Sequence, residues 1–161
     1  MKSKVLILSA ISILTLSCQN ESLVIFDVED VEIRQEGIDK PNVKTDIEFI
    51  SIAYSDLFDR AISNDELVAL RQTYASFGDI KLIEDLIIRN FLNGNQVNLP
   101  SSAEMRNDIE AFVGQTYRKF LNRNPNEFEL WFLVNEIQGN QTITPELIYY
   151  SIMTSNEYRN F

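Results

Sequence analysis

The chain of 161 residues has no histidine, a single cysteine, and only 5 glycines and 4 prolines. Each scarcity closes off some chemistry. Without imidazole there is no Ser-His-Asp or Cys-His couple and no imidazole-ligated metal. One cysteine makes neither an internal disulfide nor a thiolate zinc site. The few glycines form no phosphate-cradling loop. Basic residues are also short, 14 Lys+Arg against 24 Asp+Glu, and the net charge of −10 argues against a nucleic-acid partner. No cofactor is implied. What the chain does have is 45% hydrophobic residues, ten of them Phe, which suits a packed core in one domain of ordinary size.

The lone cysteine sits at a telling place. Lys2 and Lys4 form a short positive start, and Val5 to Leu16 is an apolar stretch too short to span a bilayer as a mature helix. Small Ser17 then precedes Cys18. This arrangement resembles a bacterial lipoprotein signal, which implies cleavage after residue 17 and a membrane partner reached through lipid on Cys18. Loss of residues 1–17 removes two lysines and no acid, so the mature chain would have 144 residues and its charge would fall from −10 to −12. Such a body is repelled by anionic headgroups, leaving the acyl chains to hold it. The expected location is the periplasmic side or the surface of an outer membrane.

Residues 18–44 read as a flexible acidic tether with Gly37 and Pro41. Within it, Leu23, Val24, Ile25 and Phe26 are four consecutive large apolar residues, a candidate strand for pairing with a protein partner.

From Thr45 the pattern becomes helical, and the fold class expected is all-α: about six helices in two related three-helix modules, 45–94 and 101–161. Thr45 to Glu48, Ser63 to Glu66 and Ser101 to Glu104 have the form of capping boxes. Ile47, Ile50, Tyr54, Leu57 and Phe58 share one helical face, as do Ile109, Phe112, Val113, Tyr117, Phe120 and Leu121. Gly78 is expected to close the second helix in the left-handed conformation, Asp79 to cap the third, and Asn93-Gly94-Asn95 to stop it. Asn124-Pro125 reads as an N-cap with proline at the first helical position, and Thr144-Pro145 as another start.

The two halves align. Tyr54, Arg60, Glu66 and Leu67 match Tyr117, Arg123, Glu129 and Leu130 at an offset of 63, and Asp85-Leu86-Ile87 meets Glu146-Leu147-Ile148 after a slip of two. Each repeat needs the other to bury its apolar face. Arg60 with Glu66, and Arg123 with Glu129, read as the corner between two helices, the arginine capping carbonyls or pairing with the glutamate; an anion site is the alternative use. Tyr117 and Trp131 are candidate partner-binding residues because such side chains dominate interface energetics, although a strongly apolar helix favours the core for both.

The second module, with Tyr117 to Pro125, then Glu129, then Ile143 to Leu147 and Ser155 to Arg159, is similar to phycobilisome-linker-like domains and related helical domains of exported bacterial proteins. The likeness covers about 50 residues, with Ile62 standing in the first module where Pro125 stands in the second. It implies an all-α domain used for protein–protein linkage and no pigment.

Carboxylate pairs such as Glu127 and Glu129, or Asp27, Glu29 and Asp30, would suit a glycan-acting enzyme. Two acids two residues apart on a helix point to different sides, however. A calcium loop at Asn122, Asn124 and Asn126 fails, since Glu127 and Leu133 stand where glycine and a bidentate glutamate are needed. The reading reached is a protein-binding or scaffold lipoprotein rather than an enzyme; an accessory lipoprotein without a ligand is a further alternative.

Overall fold

The computed structural model describes residues 42–160, and these are all-helical. Eight helices follow one another: α1 Asp46–Phe58, α2 Asn64–Ser76, α3 Ile80–Leu92, α4 Ser102–Asn107, α5 Ile109–Leu121, α6 Glu127–Gly139, α7 Pro145–Met153 and α8 Asn156–Arg159. Helix α1 packs on α2 and α3, α5 packs on α6 and α7, and α3 meets α7. The six long helices thus form two sets of three, and α4 and α8 are short additions to the expected plan.

The helix starts obey local chemistry. Thr45, Ser63, Ser101 and Asn126 each cap an N-terminus, and the backbone N–H of each donates in return to the carboxylate of Glu48, Glu66, Glu104 or Glu129. Thr144 caps α7 with Pro145 in its first turn. Three expectations are corrected. Asn126, not Asn124, is the cap of α6, so Pro125 lies before the helix; the capping box with Glu129 supplies two bonds that the proline start lacks. Gly78 does not close α2, which ends at Ser76 with Phe77 extended at φ −101°. The run from Ser101 to Leu121 is not one helix: Asp108, at φ −150°, breaks it and caps α5 by accepting the Ala111 N–H at 3.0 Å.

One hydrophobic core runs through both sets of helices. Phe49, Ile50, Ala53, Tyr54 and Leu57 of α1 are buried, whereas Ile47 is exposed despite sharing the face expected to be apolar. Ile83, Ile87, Ile88 and Phe91 of α3 join Phe112, Val113, Phe120 and Leu121 of α5 and Ile148, Tyr149 and Ile152 of α7. Tyr158 of α8 stands between the two sets, with its ring edge-on to Phe49 at 6.2 Å and to Phe120 at 6.2 Å. Residues 43 and 44 belong to this body rather than to a tether: Val43 bridges Asn160, and Lys44 is buried and donates its N–H to the Arg159 carbonyl at 3.1 Å. The remainder of the expected tether lies outside the described residues. No helix among the described residues is long and apolar enough to cross a membrane.

Candidate functional site

Two matching corners organise the molecule. Among the described residues only Asp59 and Asn122 are non-glycines with positive φ, at 51° and 56°. They end α1 and α5 in the left-handed conformation, at the same 63-residue offset as the sequence repeat. The next residue in each case is the arginine. Arg60 Cζ lies 5.0 Å from the Tyr54 ring centre, and Arg123 Cζ lies 5.0 Å from the Tyr117 ring centre. The repeat therefore holds at the level of geometry: a left-handed residue turns the chain, and arginine folds back over a tyrosine of the helix just ended.

The two arginines then diverge. Arg123 pairs with both carboxylate oxygens of Glu129 at 2.7 Å, with Glu157 at 2.6 and 2.7 Å, and with the Asn124 carbonyl at 3.1 Å. These five bonds use all five N–H donors of the guanidinium. The hydrogen bonds that Arg123 donates to Glu157 and Glu129 push its pKa further up. Burial alone would raise the Glu129 carboxyl, but the Arg123 guanidinium and the Asn126 N–H outweigh it and leave it below its ordinary value. Burial, with Glu129 adding, pushes the Tyr117 hydroxyl up to about 12. Among the described residues Arg60 makes one side-chain hydrogen bond, to Gln96 Oε1 at 3.1 Å. Its expected partner Glu66 is bound at the α2 cap by Ser63 Oγ at 2.7 Å, which lowers the Glu66 carboxyl, and it meets Arg60 only through its charge, which adds to that lowering.

The C-terminal segment is a clasp across the two modules. Glu157 takes Arg123, Tyr158 donates its hydroxyl to Asp56 at 2.9 Å, and Arg159 pairs with Glu84 at 2.6 Å. Glu84 also accepts from the Tyr74 hydroxyl at 2.6 Å, and burial followed by that bond pushes Tyr74 up to about 12. The Lys44 ammonium donates to the Tyr158 carbonyl and lies 4.6 Å from the Tyr158 ring centre. Lys44, Asp56 and Glu84, outside the candidates expected from sequence, thus tie the two halves together, while Glu157, also outside them, braces Arg123 within the second module. Their signal was present only as the Glu-Tyr-Arg triplet near the C-terminal end.

Among the described residues the most exposed aromatic side chains lie on α6. Phe128, Trp131 and Phe132 are 67%, 61% and 47% exposed. Phe128 lies 6.0 Å from Trp131 and 6.3 Å from Phe132, centre to centre, so the three rings form one patch. Helix α6 carries apolar residues on every side, yet only Ile137 is fully buried. Arg106 of α4 secures the end of this helix by donating to the carbonyls of Ile137, Asn140 and Ile143. Of the two expected contact residues, Trp131 is therefore at the surface, which corrects its placement in the core. Tyr117 is buried and lies under Arg123, out of reach of a partner. Cys18 and Leu23, Val24, Ile25 and Phe26 lie outside the described residues, as do Asp27, Glu29 and Asp30. Among the described residues no cluster of acids has the arrangement of a metal site.

No family model matches the chain, and neither a curated protein nor a solved structure does.

Proposed function

We propose that the chain is an exported, lipid-anchored protein that acts as a protein-binding or scaffold component of an envelope or surface assembly. The observation that carries the binding part is the aromatic patch of Phe128, Trp131 and Phe132 on α6. Three large rings held side by side in water are unfavourable for a body with no other use for them, and Trp and Phe supply much of the energy of protein interfaces. The rigid helix beneath them lowers the ordering cost of binding. The signal-like start ending at Cys18 supports the anchor, and the resemblance of the second module to linker-like domains supports a linkage role.

The test is capture from solubilised membranes. Crosslinking should give a stoichiometric protein partner, and Trp131→Ala with Phe128→Ala should abolish its recovery without unfolding the chain. A monodisperse, partnerless protein would overturn the binding role. For the anchor, Cys18→Ala should release the protein from membranes and remove an acyl label; full membrane retention without label would overturn it.

A further inference from the structure

The two corners hold their arginines differently, and one of the differences is the residue that reaches each arginine from the end of the module. The slip of two residues in the repeat sets Gln96 against Glu157, and the structure agrees, since Gln96 binds Arg60 as Glu157 binds Arg123. A neutral amide thus stands in module 1 where module 2 has a carboxylate. Where Glu157 takes two bonds from Arg123, Gln96 takes one from Arg60, at 3.1 Å. Beside it is a cleft of about 610 Å³, walled by Tyr54, Phe58, Ile62, Leu70 and Phe91 with Arg60 on its lining. Glu66 also reaches this cleft, but its carboxylate is bound to Ser63 at the cap.

We propose that the Arg60 cleft binds an acidic peptide segment of a partner protein, its glutamate side chain bridging to Arg60 as Glu157 bridges to Arg123. The occupant is defined by charge complementarity and by the chain's own second module. There the segment supplying the carboxylate also supplies an aromatic ring next to it, Tyr158. A carboxylate would convert a neutral amide contact into a charge-assisted fork, the stronger kind of bond. The apolar walls would take the adjoining side chain. The site uses none of the α6 aromatic residues, so it stands or falls independently of them.

The test uses the full chain in detergent and a fluorescent, end-blocked peptide of sequence Ser-Asn-Glu-Tyr, which has one negative charge, followed by anisotropy. Saturable binding is expected, weakened about tenfold or more when glutamine replaces the peptide's glutamate. Arg60→Ala should weaken it equally. Gln96→Glu should close the site from within, abolishing binding while the melting temperature holds or rises. That variant and the paired peptides keep the test decisive even if Arg60→Ala folds poorly. Absence of saturable binding, equal affinity for both peptides, or unchanged binding by Gln96→Glu would each overturn the proposal. Displacement by glutarate at the peptide's own concentration would likewise overturn it, because a free dicarboxylate would then suffice.

Discussion

The hydroxyl of Tyr158 donates to Asp56 at 2.9 Å and so joins the last helix to the first across the core. Burial raises the Asp56 carboxyl above its ordinary value, and the bond from Tyr158 only partly offsets this. The folded state therefore keeps its proton to higher pH than the unfolded state does. Asp56 subtracts stability as pH rises from the ordinary carboxylate value through the raised one, and the penalty is complete above both. Asp56→Asn keeps an acceptor and removes the charge. It is expected to melt above the wild type at pH 7, with the advantage fading as pH falls below the carboxylate range. Thermal melts across pH check this. Tyr158→Phe, by contrast, leaves Asp56 buried without that donor and should cost about 1–3 kcal/mol.

Arg123 and Arg60 occupy equivalent corners with unequal partners, so their substitutions should differ in size. Arg123→Ala strands Glu129 and Glu157 in a half-buried setting and is expected to cost about 2–3 kcal/mol, below the figure for a fully buried pair. Arg60→Ala removes one exposed hydrogen bond and the stacking over Tyr54, and should cost about 1 kcal/mol. Urea unfolding of the two variants compares them directly, and equal losses would show the corners to be energetically alike.

The same pair sets an acid limit. Glu129 has a lowered folded pKa, so its contribution is fully present above the ordinary glutamate value and is lost as pH falls through the folded one. In the wild type this loss opposes the relief at Asp56. Glu129→Gln should flatten the acid limb of the stability–pH curve, which a pH series of urea midpoints would reveal.

Asn122 holds the left-handed corner at φ 56° and is exposed. Asn122→Gly is expected to stabilise by about 0.5 kcal/mol, and Asn122→Val to destabilise by about 1–2 kcal/mol, because a β-branched side chain clashes in that region. Asp59→Gly should gain less, since it forfeits the bond from Asn98 at 2.6 Å and the pair with Lys119 at 3.3 Å. Melting temperatures of the three variants rank these effects.

On α6, Ile137 is fully buried and Trp131 is 61% exposed. Ile137→Ala should cost about 2–5 kcal/mol and Trp131→Ala within about 0.5 kcal/mol. A large stability loss at Trp131 would mark it as structural and remove the main support for the α6 face as a contact surface.

Local chemistry was legible in the residues themselves. Capping boxes at Thr45, Ser63 and Ser101, the Thr144-Pro145 start and the 63-residue offset all act within a few residues or as a repeated pattern, so the chain alone determined an all-α body of two related modules. Two local readings went astray for the same kind of reason. Asn124-Pro125 competed with Asn126, and the long run from Ser101 was broken at Asp108, because alternative caps lay within reach of the same backbone. What only the tertiary structure decided is which apolar and charged groups face one another. Tyr117 and Trp131 both sit on helices rich in apolar residues, yet one is covered and the other bare, since burial depends on which neighbour packs against each face. Likewise Arg60 and Arg123 look equivalent in the chain. They differ in whether the glutamate six residues on is bound and in the partners 36 and 34 positions away, Gln96 and Glu157, and charge pairing over the longer separations is set by packing rather than by spacing.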